Sequence, residues 1–309
     1  MKTIVLFFGS FFISAGAMAQ QGSELLVYAV KGQVTAVLNK KETKLRIGNV
    51  LKKGTVIKTN PNSSLTMICS EGKPLQVTSP GTYPLSRWRD SCNSRNASVS
   101  NNYFKYIWQQ LYAYSPESKE TRSRRNGELA VSRGEPGDKK GMSDKFIKLE
   151  FQPLMDTVYY DGAPFPLSWT GNGYRGYYHF TLFDEKGIDT LFTDSVRFSF
   201  MAIDSFKQHL QVGMTYTWTV RATGVPESKK RRLMVVAPDT SAALQEKLLG
   251  EGNIPEDSAT RSFRVAYLLE RAHYFGAAYR LYEEAARQNT ELNLFRDQLI
   301  RFRNQYWIR

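Results

Sequence analysis

Cysteine and histidine are scarce in this sequence: 309 residues hold two of the first and three of the second. His179, His209 and His273 lie far in sequence from Cys69 and Cys92, and no pair of ligand types has zinc-like spacing. Long apolar runs are missing as well. The run from Ile4 to Ile13 has ten residues, short of the roughly 20 that cross a bilayer as a helix. No G-x-S-x-G, H-E-x-x-H, phosphate-binding loop or Cys-x-x-Cys occurs. No acidic pair is flanked in a way that suggests a tuned acid and base. These shortages argue against an enzyme, and no cofactor, metal or catalytic residue is expected.

Negative charge is the next shortage, with 29 Asp and Glu against 42 Lys and Arg. The imbalance is local. Residues 20–114 carry 13 basic and 4 acidic groups, 115–144 carry 7 and 6, 145–238 carry 11 and 9, and 239–309 carry 10 and 10. A field concentrated on one region attracts acidic partners better than the same charge spread evenly, although charge also serves solubility.

Lys2, the apolar stretch to Ile13, and Ala17-Met18-Ala19 form the three regions of a secretory signal, so residues 1–19 are expected to be removed between Ala19 and Gln20. No cysteine follows that cut to carry a lipid, and the mature chain is expected to be soluble in the periplasm or envelope. In an exported chain, two cysteines argue for a disulfide between Cys69 and Cys92, closing a loop of 22 intervening residues. Partners there are envelope polymers or acidic proteins rather than nucleic acid.

Between Val27 and Leu85, short β-branched runs (Val27–Val30, Val34–Leu38, Thr55–Ile57, Leu65–Ile68, Leu75–Val77) alternate with turn signals at Lys31-Gly32, Asn39-Lys40, Lys53-Gly54, Asn60-Pro61-Asn62, Glu71-Gly72 and Pro80-Gly81. That pattern predicts a compact all-β module. Its succession Val30-Lys31-Gly32-Gln33-Val34, Leu45-Arg46-Ile47-Gly48-Asn49-Val50-Leu51 and Thr59-Asn60-Pro61-Asn62-Ser63-Ser64-Leu65 resembles the FecR-like domain. Asn101 to Ser115 places Tyr103, Phe104, Ile107 and Leu111 at helical spacing, predicting a helix whose aromatic face packs on the module and completes a unit over 20–114. Residues 115–144 are Glu-, Ser-, Lys-, Arg- and Gly-rich with almost no large apolar side chain, the composition of a flexible linker.

Residues 145–238 return to strand patterns. Tyr216, Trp218, Val220 and Ala222 alternate with Thr217, Thr219 and Arg221, which predicts one apolar face. Leu167-Ser168-Trp169 and the run Leu210 to Ala222 resemble a fibronectin type III or immunoglobulin-like sandwich, which implies that Trp169, Tyr216 and Trp218 pack in its core. Gly171-Asn172-Gly173-Tyr174-Arg175-Gly176 matches G-x-G-x-x-G, but a strand rather than a helix is expected after it, so it reads as a loop. Lys229-Lys230-Arg231-Arg232 reads as a charged turn or strand edge.

Residues 239–309 change period. Helices are expected over Ser258–Arg271, Gly276–Gln288 and Glu291–Trp307. Ala266, Leu269, Tyr274, Gly276, Ala278, Leu281, Tyr282, Ala285 and Ala286 resemble one tetratricopeptide unit, implying close helix packing at Gly276, Ala278 and Tyr282. A lone unit needs neighbours to bury its faces, and a third helix or a partner protein would supply them.

The expected architecture is therefore multidomain: an all-β module with a capping helix, a β-sandwich, then a short helical domain. The expected role is a non-catalytic exported adaptor, its basic module on an acidic envelope component and its later modules docking protein. The FecR resemblance adds the alternative of an extracytoplasmic signalling component acting through a separate transducer.

Overall fold

The computed structural model describes residues 24–88, 90–93, 99–114, 149, 153–171, 174–225, 227–250 and 254–308. The expected signal segment with its Ala19–Gln20 cut, and the expected linker at 115–144, lie outside the described residues.

The N-terminal region contains β1 (Leu25–Lys31), β2 (Val34–Leu38), β3 (Lys41–Lys44), β4 (Val50–Leu51), β5 (Val56–Thr59), β6 (Ser64–Cys69), β7 (Pro74–Val77) and β8 (Gly81–Pro84). They form two four-stranded sheets, in the orders β4-β1-β6-β7 and β3-β2-β5-β8. Leu25, Val27, Val34, Ala36, Ile57, Leu65, Met67 and Val77 fill the space between the sheets. The first sheet is buried on its other face as well, where Leu26, Tyr28 and Ile68 join a larger core. Burial on both faces explains the unbroken apolar runs of β1 and β6, since a strand with one wet face would alternate.

Helix α1 (Val99–Tyr114) lies on that outer face. Tyr103, Phe104, Ile107 and Leu111 are all buried. Cys69 and Cys92 form the expected disulfide, with their Cα atoms 5.9 Å apart, tying the end of β6 to the turn Asp90–Asn93. Closing a loop of this length removes roughly 3 kcal/mol of unfolded-chain freedom. Replacing both cysteines with alanine is expected to lower stability by about that amount. An unchanged urea midpoint for the double variant would contradict this.

The middle region contains β9 (Thr157–Tyr160), β10 (Pro166–Ser168), β11 (Tyr178–Phe183), β12 (Thr190–Val196), β13 (Phe200–Ala202), β14 (Thr215–Ala222) and β15 (Arg231–Val235). A five-stranded sheet runs β12-β11-β14-β15-β9, and β10 pairs with β13. Phe180, Leu182, Tyr216, Trp218 and Val220 are buried with Leu167, Trp169, Met201 and Phe206. Thr219 belongs by alternation to the opposite face, yet it is buried too, and its hydroxyl donates to Glu227 at 2.7 Å. The Tyr216 hydroxyl accepts the Gln211 N–H at 2.9 Å, closing the corner that leads into β14.

Two features here differ from the sequence reading. Arg231 and Arg232 do not sit at an exposed edge: β15 is an inner strand, paired antiparallel to β14 and parallel to β9. Lys230 lies over the Phe183 ring and donates to the Gly187 carbonyl, so its charge is placed at a turn while its stem covers apolar surface. The chain after Gly171 does enter a strand, β11, and not the helix that a dinucleotide site requires.

The C-terminal region consists of helices α2 (Pro238–Gly250), α3 (Ser258–Arg271), α4 (Phe275–Gln288) and α5 (Asn293–Tyr306). Asp257 caps α3 by accepting the Thr260 N–H at 2.7 Å. Helix α2 was absent from the sequence reading; its residues are weakly patterned and only Ser241 and Leu248 are buried. Among the described residues no helix is long and apolar enough to cross a membrane.

Candidate functional site

The helical region sits between the two β regions, and both junctions are built from named side chains. On one side, Tyr103 and Tyr106 of α1 pack on Tyr267 of α3, with ring centroids 5.3 and 4.9 Å apart. Beneath them lies a buried charged cluster. Arg264 Nε donates to both carboxylate oxygens of Glu256 at 2.9 and 3.1 Å, and its Nη1 donates to the Leu248 carbonyl at 2.9 Å. The Tyr28 hydroxyl donates to Glu256 Oε1 at 2.5 Å and meets the Tyr103 hydroxyl at 3.0 Å. Thr66 of β6 donates to the Pro255 carbonyl at 3.2 Å. Burial, with Tyr103 and Glu256 adding to it, holds the Tyr28 phenol well above its ordinary range, so it stays a donor. Desolvation pulls the Arg264 guanidinium down, but Glu256, with Tyr28 and Tyr103 adding to it, more than offsets this and the net shift is upward.

On the other side, Phe165 reaches into the helices against Phe275, Phe302 and Tyr306. Tyr159 of β9 stacks on Tyr274 at 4.8 Å, and the Tyr159 N–H donates to the His273 carbonyl. His273 Nδ1 donates to the Thr157 carbonyl at 2.9 Å.

Gly276 belongs to this junction. A Cβ built on it would lie 2.8 Å from the Ala163 Cβ, a clash, so its smallness serves the approach of the middle region. Ala278 and Tyr282 are fully buried, and Tyr282 donates to Glu270 at 2.8 Å. Trp169, Tyr216 and Trp218 lie together in the middle core, remote in the fold from Cys69 and Cys92.

The carboxylates in these clusters are engaged by their neighbours. Glu256 has its oxygens occupied by Arg264 and Tyr28. Burial raises the Glu270 carboxyl, against the lowering effect of the hydroxyls of Tyr282 and Tyr306, and both of those phenols are themselves held protonated by burial. An open concavity of about 490 Å³ at the end of β11 and β14 is lined by His179, Arg221 and Thr223. His179 there shares a hydrogen bond with Ser195 at 2.9 Å, and among the described residues no carboxylate lines the hollow. Among the described residues no group of three or more His, Cys, Asp and Glu side chains is placed to hold a metal ion.

The remaining concentration of charge is at one end of the second N-terminal sheet. Strands β2 and β3 are joined by the two-residue turn Asn39-Lys40, with φ of 52° and 64°, the doubly positive form that suits hairpin twist. The turn between β4 and β5 closes through Thr55, whose N–H and hydroxyl both donate to the Lys52 carbonyl, with Gly54 at φ 86°. Because Val37 pairs with Val56, the two turns are neighbours, and a Cβ on Gly54 would touch Leu38 at 3.8 Å. Lys40, Lys41, Lys52 and Lys53 are all exposed there. Along the outer face, Lys44 and Lys58 flank Thr35 in register. Glu42 is held by Thr35 at 2.6 Å and by Lys58 at 3.3 Å, and these contacts lower its pKa, Thr35 foremost.

The sequence reading located the charge to the module but not to this end. The signal was present, since lysine stands in or beside two turn dipeptides, yet only the β2–β5 pairing makes them adjacent. Nothing local marked Glu256 or Arg264 as partners of Tyr28. No protein-family model matches the chain, and no curated protein matches it in sequence.

Proposed function

We propose that this chain is a non-catalytic, exported binding protein of the cell envelope whose N-terminal module contacts an acidic envelope polymer through the lysine-bearing turns. The observation that carries the reading is the grouping of Lys40, Lys41 and Lys53, with Lys52 beside them, on two adjacent exposed turns. Clustered like charge has a cost in self-repulsion, and a polyanion relieves it. The buried disulfide is at home in an oxidising compartment, which supports export.

The domain likenesses supply the frame. Two packed four-stranded sheets with the turn at Arg46–Asn49 fit a FecR-like module. The Tyr216 corner and the buried Trp169 and Trp218 support a sandwich of the immunoglobulin or fibronectin III kind. Helices α3 and α4 form the tetratricopeptide-like unit. Its faces are occupied by α1, α5 and the Ala163–Phe165 segment, so in this reading it holds the β modules in place and protein docking falls to the sandwich.

Co-sedimentation of the mature protein with envelope fractions at low and high salt tests the proposal. Retention is expected to disappear at about 1 M salt, where the screening length falls to roughly 3 Å. Retention that survives high salt, or none at low salt, would count against it.

A further inference from the structure

The segment Gly171–Gly176 matches G-x-G-x-x-G without forming a dinucleotide site, and its tyrosine braces one end of the five-stranded sheet. The Tyr174 N–H donates to the Gly171 carbonyl at 2.8 Å, while its hydroxyl accepts the Thr223 N–H at 3.1 Å and donates to the Tyr177 carbonyl at 3.4 Å. One side chain thus fixes the entry to β11 against the turn that leaves β14. The open concavity of about 490 Å³ lined by His179, Arg221 and Thr223 lies at this end.

Strand β11 runs between β12 and β14, and the registers set Ser195, His179 and Arg221 side by side. Tyr178, Phe180, Val220 and Ala222 fill the core, so alternation turns His179 and Arg221 to the opposite face. Arg197, one residue past β12, rests over the Tyr177 ring at 4.7 Å. It stands across β11 from Arg221, and the two strands flanking β11 are about 10 Å apart. Both arginines are exposed, and among the described residues neither guanidinium has an ion pair or a hydrogen bond. The acidic groups of the adjoining segments are engaged elsewhere: Asp194 accepts the Ser195 N–H at 2.7 Å, and Glu227 accepts the Thr219 hydroxyl at 2.7 Å.

We propose that this hollow binds the carboxylate or phosphate group of an acidic sugar, with Arg197 and Arg221 as its counter-charges and His179 as a donor. A guanidinium presents paired N–H donors that match two oxygens of either group. Stacking on Tyr177 orients the planar fork of Arg197 without consuming those donors. Ser195 Oγ lies 2.9 Å from His179 Nδ1, and when the hydroxyl donates there, Nε2 carries the proton and offers it to an oxyanion. Two cations without a counter-ion repel each other, and a bound anion relieves that repulsion.

The size of the hollow suits a small molecule rather than a bare ion. Tyr177 is 47% exposed even with Arg197 over it, and the exposed hydroxyl groups of Ser195 and Thr223 stand nearby. An apolar ring beside hydroxyl groups fits the mixed surface of a sugar. The inference stands on these residues and not on the lysine-bearing turns, which belong to the other β region.

An amide NMR titration of the mature protein with glucuronate, glucose 1-phosphate, inorganic phosphate and glucose tests it. At least one of the two acidic sugars is expected to shift the Ser195 and Thr223 amides with a Kd of about 1 mM or tighter, and the tighter of the two identifies the anion. Arg197→Gln and Arg221→Gln, both at exposed positions, are each expected to weaken that binding about tenfold. A variant carrying Lys40→Glu, Lys41→Glu and Lys53→Glu is expected to bind as wild type does, whatever its affinity for a polymer. Absence of binding by both acidic sugars, equally tight binding of glucose or inorganic phosphate, unchanged affinity in both arginine variants, or loss in the lysine variant overturns the proposal.

Discussion

Replacing Arg264 with alanine is expected to cost about 3–5 kcal/mol of stability, because it leaves the Glu256 carboxylate buried without its counter-charge. Both side chains are sealed, at 3% and 0% exposure. Removal of the guanidinium deletes the two bonds to Glu256 and the one to the Leu248 carbonyl. The cost comes from the charge left behind more than from the bonds lost, and a second variant separates the two. Glu256→Gln on the Arg264→Ala background removes the orphaned charge but keeps an acceptor for the Tyr28 hydroxyl, so it is expected to recover a large part of the loss. Urea unfolding of the wild type, the two single variants and the double variant measures the coupling. A loss below about 1 kcal/mol for Arg264→Ala would mean that water reaches the cluster and the pair is surface-like. The four residues come from β1, α1, the segment before α3, and α3 itself. Loss of the cluster should therefore raise amide exchange in β1 and in the helices together, rather than in one of them.

Replacing Trp218 with alanine is expected to destabilise the middle region by about 3–5 kcal/mol. The indole is fully buried and lies 5.9 Å from the Phe180 ring, on a strand flanked by β11 and β15. Such a site has little room to collapse, because it is hemmed in by Phe180, Leu182 and Arg231 across the two ladders. Since β9 joins that sheet to α4, the transition measured in the helices should shift with it. A shift of less than about 1 kcal/mol would show that the pocket closes over the deletion.

The sequence carried local features well and long-range ones poorly. The starts of α3 and the strand runs of the first module follow from capping and from β-branched runs between turns. Those signals act within a few residues. The disulfide followed from a count of two and an N-terminus that reads as a secretory signal. Helix α2 was missed because it buries little, so its pattern is weak. Of the four-residue basic run, Lys229 and Lys230 precede β15 while Arg231 and Arg232 enter it, and the edge reading failed for the latter two because edge and inner strands differ in what pairs with them, not in composition. Tyr28 and Glu256 are separated by 228 residues, and no periodicity links them. The same limit applied to the candidate binding end, where each lysine was visible beside a turn and the grouping came from the pairing of β2 with β5.

The measurement that most directly tests the proposed function is a titration of the mature protein with a defined anionic polymer at low salt. Wild type is compared with a triple variant, Lys40→Glu, Lys41→Glu and Lys53→Glu. All three positions are exposed, so the variant should unfold at the same urea concentration as wild type. The account predicts at least a roughly tenfold loss of affinity, the factor that corresponds to 1.4 kcal/mol of binding. Unchanged affinity in a variant of matched stability would contradict it and would move the binding surface away from the lysine-bearing turns.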